Sequence, residues 1–452
     1  MKTYETFIFE SYGFDKDKKL LQLRYSFDGE LFFEENIEFP NSNRILNDQE
    51  LEVLDNIFKY LHIAAGISYY KLFIPHKMCV KTCQLNREET IFFSDFYFNG
   101  LGEFSYKNSI FDLRERINFS HSNSCNVIHH TNLKLPDKVA IPIGGGKDSV
   151  VTLEIVKKYR DMNKIVLCSV GTAKSIEEII RISGCSAFHP IRTVDKSLME
   201  LNKNLEEIGG YNGHVPISGI LAFVLCASAV IYGFDTVLMS NERSASIGNI
   251  EFNGIVINHQ WSKSFDFEKK INAFFKKYVL DSFNYVSFLR PLSEVRIAEI
   301  FSKLKEYHGI FTSCNKNFRI ENRLDHWCCD CDKCRFVYLI LAIFLTKKEL
   351  KSIFGRNILE EKQQLDGFLG LCELKNHKPF ECVGETEEST YAIMNVDESF
   401  TDDFVVKELR KRLVGKKHEK KDLFKLGKGH LLNKEMFGWL EDFSLLLPNK
   451  PI

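Results

Sequence analysis

The sequence has no excess of charge of either sign: 60 Lys and Arg stand against 61 Asp and Glu, a formal net charge of −1. That balance argues against a dominant non-specific nucleic-acid surface, although it leaves room for a local basic patch. The opening residues, Met-Lys-Thr-Tyr-Glu-Thr, carry no apolar signal core, and no uninterrupted apolar run is long enough to span a bilayer. A cytoplasmic protein with no membrane partner is the expectation. No internal repeat is evident. At 452 residues the chain is long enough for two or three domains with real cores. Its 13 cysteines, in a long chain without a signal, fit thiols and a metal site better than a disulfide framework. Many of the 39 phenylalanines sit in strand-like runs such as Leu31 to Phe33 and Ile91 to Phe98, and core filling accounts for them.

The most informative stretch is residues 138–153. An apolar run (Val139, Ile141, Ile143) reads as a buried strand and breaks into Gly144, Gly145 and Gly146. Lys147, Asp148 and Ser149 follow, then apolar residues at helical spacing (Val150, Val151, Leu153, Ile155, Val156). Strand, glycine loop and helix start make a phosphate site in α/β proteins: glycines let backbone N–H groups approach an anion, and the first helical turn adds unpaired donors. Neither a Walker loop nor a Gly-x-Gly-x-x-Gly dinucleotide fingerprint is present. Simple N-capping by Asp148 and Ser149 is the plainer alternative.

The first forty residues alternate (Phe7, Phe9; Leu21, Leu23, Tyr25, Phe27; Leu31, Phe33) with Asp28-Gly29 as a turn, predicting an antiparallel meander. Leu54, Ile57, Phe58, Leu61 and Ala65 mark an amphipathic helix. The polar stretch Ser120 to Asn132 reads as a connector. From Val139 the pattern becomes βαβ: strands Val139–Ile143, Ile165–Val170 and Thr236–Met239 alternate with helices at Ile176–Ile182 and Ile217–Ile231. Alternation of this kind predicts a parallel sheet covered by helices, with ligands beyond the carboxyl ends of its strands. Cys226 lies in the apolar helix and reads as core. The basic run Lys407 to Lys428 reads as a solvated helix face, with a lid over phosphates as the minority view, and Met436 to Leu447 as an amphipathic tail.

Cys328, Cys331 and Cys334 are spaced three apart, with Cys314 upstream, a pattern that suits tetrahedral zinc. Cys329 reads as a bystander, and ordinary buried or redox thiols are the alternative. Ser240 to Ser246 directly follows a strand. There Glu242 is a candidate base or magnesium ligand and Arg243 a candidate fork for phosphate or carboxylate. His259 and Lys263, in Asn258 to Ser264, are candidates for titration, as is His214, which precedes the apolar helix in Tyr211 to Pro216 and faces an anion in this reading. Solvated loops and structural histidines are the plain readings of these segments.

The glycine loop resembles the Ser-Gly-Gly-x-Asp-Ser pyrophosphatase loop of the enzymes that include GMP synthetase, NAD synthetase and 7-cyano-7-deazaguanine synthase, with Gly144 where the family usually has Ser. The cysteine spacing is similar to the zinc knuckle of the last of these. A narrower resemblance is to the ATP-dependent epimerases of UDP-N-acetylmuramoyl-L-alanyl-L-glutamate. It runs from Gly66 to Lys71 and Gly100 to Phe104 through the loop and both polar motifs. It continues in Leu289 to Glu294, Ser313 to Asn315, the knuckle and Lys378 to Glu385.

That resemblance implies an α/β fold in three parts. An N-terminal β-rich α+β domain covers 1–135, an ATP-pyrophosphatase-like core with a zinc knuckle 136–345, and a helical region 346–452. It implies an isomerase that inverts a terminal L-Glu through an acyl-adenylate, converting ATP to AMP and pyrophosphate. ATP would lie on Gly144, Gly145, Gly146, Lys147, Asp148 and Ser149, with Mg2+ at its phosphates. A structural Zn2+ would lie on Cys314, Cys328, Cys331 and Cys334. Two rival readings, another adenylating ligase or amidotransferase and a tRNA-modifying enzyme, differ in making a new bond or in salt-dependent RNA binding.

Overall fold

The computed structural model describes residues 3–42, 44–120, 133–171, 173–318, 324–375, 378–414 and 423–445. All of the Ser120–Asn132 connector but its first residue lies outside them, as do 415–422 of the basic run and 446–447 of the tail. The chain packs as two compact units, one of residues 1–139, 188–237 and 251–285, the other of 140–187, 238–250 and 286–452. Both units are discontinuous in the sequence. One reason is visible in the first unit, which recruits a strand and a helix from the middle of the chain.

The first unit holds the meander. β1 (Thr6–Asp15), β2 (Leu20–Phe27) and β3 (Leu31–Glu38) are antiparallel, with Phe9 opposite Tyr25 and Tyr25 opposite Phe33. β4 (Lys77–Val80) runs parallel to β1 on one edge. On the other edge, β8 (Ile191–Thr193) pairs antiparallel with β3. There Arg192 makes a bidentate pair with the fully buried Glu35, at 2.7 and 2.9 Å, so neither charge is left uncompensated. The helix Asp48–Tyr70 starts at a capping box of Asn47 and Glu50 and buries Leu54, Ile57, Phe58, Leu61 and Ala65, the face its spacing predicts. It packs on the recruited helix Ile217–Tyr232, where Cys226 is core as expected.

Ile91 to Phe98 is a correction. It forms part of the helix Arg87–Gly100, opened by a capping box of Asn86 and Glu89. Aromatic content suggested a strand, but Phe93, Phe96 and Tyr97 recur at three and four, the helical spacing, and all three are buried. A short hairpin of β10 (Ile250–Phe252) and β11 (Ile255–Ile257) completes the smaller elements.

A second five-stranded sheet, which is parallel, has the order β12-β9-β5-β6-β7. Its strands are β5 (Val139–Pro142), β6 (Ile165–Cys168), β7 (Ser186–Phe188), β9 (Thr236–Met239) and β12 (Asn284–Ser287). The chain winds outward from β5 through β6 to β7, then returns to the other side of β5 for β9 and β12. The order reverses between β5 and β9, and such a switch point leaves a crevice at the strands' carboxyl ends. Those ends of β5, β6 and β9 belong to the second unit.

Gly66, in the middle of the Asp48–Tyr70 helix, is required by packing. A Cβ there would meet Phe9 Cε1 at 2.5 Å and Tyr25 Cε1 at 3.0 Å, both in fully buried rings. Gly66→Ala should cost about 1–3 kcal/mol from overpacking, against about 1 kcal/mol gained in helix propensity. A lower denaturant midpoint is therefore expected, and an unchanged or higher one would show that the rings yield.

Candidate active site

The glycine loop leaves β5 at the switch point. Gly145 has φ +79, and a Cβ on it would collide with Ser175 Oγ and come within 3.3 Å of the Thr312 carbonyl. Only glycine fits. Its carbonyl accepts from Thr312 N at 2.9 Å, and a Cβ on Gly146 would lie 3.1 Å from Ser313 Cβ. Gly144 differs: nothing lies within 4 Å of its virtual Cβ. Gly146 caps the helix Lys147–Tyr159 without a side-chain bond, while Ser149 Oγ donates back to the Gly146 carbonyl at 3.1 Å. The N-cap position is therefore Gly146, ahead of Asp148 and Ser149. Two buried hydroxyls beside the loop, Ser175 Oγ and Ser313 Oγ, have no hydrogen-bond partner among the described residues.

Lys147 is buried, its ammonium held by Asp148 and Glu294. Burial alone would lower its pKa, but the two carboxylates outweigh it and raise the value. Glu294 is pushed up to about 8 by burial, with Lys147 opposing. Glu388 accepts from Glu294 N at 2.7 Å, and burial pushes it up to about 7. Lys378 is lowered by burial. Glu242 is buried after β9, and its backbone carbonyl accepts from Arg290 Nη1 at 2.7 Å. Arg243 donates its backbone N–H to Leu292 at 3.1 Å, and its charge works against the raised pKa of Glu388. Ser240, at the exit of β9, meets Thr152 of the loop's helix, hydroxyl to hydroxyl at 2.8 Å. The second unit thus gathers the loop, Glu242 and Arg243 with Glu294, Glu388 and Lys378, three side chains to which the sequence reading gave no role.

Cys314, Cys328, Cys331 and Cys334 converge, their sulfurs all within 4.8 Å of one another. Cys334 Sγ lies 3.6 Å from that of Cys328 and 3.4 Å from that of Cys331. A tetrahedral zinc with bonds of about 2.3 Å needs sulfurs about 3.8 Å apart, so the donor set fits that ion. Cys329 takes a left-handed turn at φ +55 and donates its thiol to the Phe354 carbonyl at 3.3 Å, outside the cluster.

His214, His259 and Lys263 belong to the first unit, and Glu242 and Arg243 to the second. The two histidines are not isolated: both approach Glu103, which the sequence reading did not single out beyond its place in Gly100 to Phe104. Nδ1 of His259 bonds Glu103 Oε2, Nδ1 of His214 lies 3.7 Å from the same oxygen, and the ring centroids are 4.6 Å apart. The segment before His214 offers acceptors, the Asn212 amide oxygen and the Gly213 carbonyl, to the ammonium of Lys71. Within that segment the Tyr211 N–H donates to the Leu72 carbonyl and the Gly213 N–H to the Asn212 amide oxygen, both at 2.8 Å.

Fold and site together define an α/β protein with a glycine loop at the switch point of a parallel sheet and a four-cysteine cluster. A family model of the MurL N-terminal domain matches residues 1–288, and one of the MurL C-terminal domain matches 310–424. The chain is 35% identical over 399 residues to a UDP-N-acetyl-alpha-D-muramoyl-L-alanyl-L-glutamate epimerase of Salinispora tropica, covering 87% of this chain and 85% of that protein. It is 34% identical over 406 residues to the protein of the same name from Xanthomonas oryzae pv. oryzae, covering 89% and 88%. This chain belongs to the MurL family.

The glycines separate by substitution. Gly144→Ser should fold with unchanged stability, because its side chain meets open space. Gly145→Ala should lose about 1–2 kcal/mol from left-handed strain alone, with the Ser175 clash added. Equal unfolding midpoints for the two variants would refute this account of the loop.

Proposed function

We propose that this chain is an ATP-dependent isomerase that inverts the terminal L-Glu of UDP-MurNAc-L-Ala-L-Glu to D-Glu, a cytoplasmic step of peptidoglycan-precursor synthesis. The single observation that carries the reading is a glycine loop without a Walker lysine pattern, in a chain whose relatives bear that epimerase name over most of their length. On this reading the second unit's sheet is an ATP-pyrophosphatase-like core. Among the described helices none is long and apolar enough to cross a membrane.

The chemistry requires activation first. A carboxylate's charge opposes loss of the neighbouring α-proton, because a second negative charge would form beside it. ATP supplies an adenylate: the glutamate oxygen attacks the α-phosphorus, pyrophosphate leaves, and a mixed anhydride replaces the charged carboxylate. A base then takes the α-proton, an acid returns one to the opposite face, and water releases AMP.

Backbone N–H groups of Gly144, Gly145 and Gly146 and the hydroxyl of Ser149 would hold the phosphates. Ser175 and Ser313 would supply the hydroxyl contacts that Gly144 lacks. Asp148 and Glu242 would hold Mg2+, which neutralises phosphate charge. Lys147 keeps Asp148 and Glu294 in place, and Arg243 is the fork for developing negative charge. His214, His259 and Lys263 are the candidates for proton transfer. Cys314, Cys328, Cys331 and Cys334 would hold one structural Zn2+.

In heavy water with ATP, Mg2+ and the UDP-muramoyl dipeptide, the chain should release AMP and pyrophosphate and leave deuterium on the inverted glutamate α-carbon. Asp148→Ala should lower AMP release by about 10²–10³-fold. ADP as the main product, a new amide bond, or full-rate exchange without ATP would each overturn the reading. Metal analysis should find one zinc per chain, and Cys331→Ser should lose it together with thermal stability. A zinc-free, equally stable wild-type protein would remove the metal assignment.

A further inference from the structure

The proton-transfer candidates of the first unit are organised by a carboxylate. Glu103 stands in the first turn of the short helix Gly102–Lys107 and is 4% exposed. One of its oxygens takes the Lys107 ammonium four residues on, and the other takes His259 Nδ1 with His214 Nδ1 nearby. Two close approaches hold this geometry. A Cβ on Gly100 would meet Pro216 Cγ at 2.5 Å, and one on Gly213 would meet Phe104 Cδ2 at 3.1 Å. Glycine at both positions therefore lets the His214 segment close on the Glu103 helix.

A cavity of about 450 Å³ adjoins the group, its wall including Gly102 and Asn258, the residues directly before Glu103 and His259. Phe98, Ile110, Phe252 and Trp261 line much of the rest.

Resting on the epimerase reading, we infer that Glu103 is the positioning residue of this centre, with His259 as the base that removes the glutamate α-proton. A carboxylate at Nδ1 fixes the ring and its tautomer, places the proton on Nδ1 and leaves Nε2 as the acceptor. It also stabilises the imidazolium that forms when Nε2 takes the substrate proton. His214 is the neutral neighbour. Burial first, then the charge of His259 with those of Lys263 and Lys107, hold it down at about 4 against the pull of Glu103. Glu103 itself stays ionised at about 2: burial pushes it up, and His259, Lys107 and His214 outweigh that.

The test compares wild type, Glu103→Gln, Glu103→Asp and His259→Asn in the heavy-water assay across pH, with nitrogen-15 spectra of the imidazoles in the ligand-free chain. The wild-type spectrum should show His259 protonated at Nδ1. Glu103→Gln should slow deuterium incorporation by about 10²-fold or more. It should also move the acidic limb of kcat/KM to lower pH, because the imidazolium loses its carboxylate. Glu103→Asp should restore part of the rate and the limb's position, and His259→Asn should remove exchange.

An unmoved limb with uniformly lower rates and a lower Tm in Glu103→Gln would mean a merely structural carboxylate and overturn the inference. So would a stoichiometric metal ion lost from Glu103→Gln, since the three side chains would then be ligands. A wild-type chain that shows the Nδ1–H signal but neither makes AMP nor exchanges the proton would overturn the epimerase reading, and the catalytic role with it.

Discussion

The hydrogen bond from Thr312 N to the Gly145 carbonyl ties the glycine loop of the second unit to the segment that leads into its cysteine cluster. It requires Gly145 to present its carbonyl from a left-handed conformation, which no residue with a Cβ could hold against Ser175. Thr312 and Ser313 lead directly into Cys314, so the segment that seats the loop is anchored one residue later in the cysteine cluster. Zinc in that cluster would fix the loop's backing wall rather than touch a substrate. Such anchoring would serve the anion site proposed at the loop, since backbone donors act best when preorganised.

Beside the loop, charge is arranged to be nearly balanced and dry. Lys147 is a buried cation set against Asp148 and Glu294, and Glu388 receives the N–H of Glu294. Burial pushes the carboxyls of Glu294 and Glu388 upward, which weakens the fixed negative charge beside the loop. A triphosphate could not approach several unpaired carboxylates without strong repulsion. For the triphosphate proposed at the loop, burial and Lys147 would lessen that repulsion, while Asp148, its side chain 23% exposed, stays at the loop.

What was legible in the sequence is what is local. The strand, three glycines and helix start are contiguous, and the cysteine spacing is a knuckle whatever surrounds it. The meander and the Asp48–Tyr70 helix were equally readable, because one buried face writes a period of two or of 3.6. The aromatic run at Ile91 to Phe98 misled because composition was weighed above spacing, although Phe93, Phe96 and Tyr97 carry the helical period. β8 and β12 were missed, being short and of little distinct pattern, and they decide which sheet the middle of the chain joins. Glu294 and Glu388 gave no signal as a pair, since 94 residues separate them and only folding buries them together.

Glu103 shows the same limit most sharply, and shows what burial adds. Its partner His259 is 156 residues away, so nothing in either motif names the other. A carboxylate taken out of water costs several kcal/mol unless charge and hydrogen bonds replace its hydration. Lys107 alone satisfies one oxygen. The second oxygen obliges the fold to bring up another donor, and an imidazole does so in a way that a lysine would not. It satisfies the carboxylate through Nδ1–H while neutral, and it becomes a better partner still when protonated at Nε2. The fold meets the cost of burying Glu103 with groups drawn from separate stretches of the chain, Lys107 on one oxygen and His259 with His214 at the other.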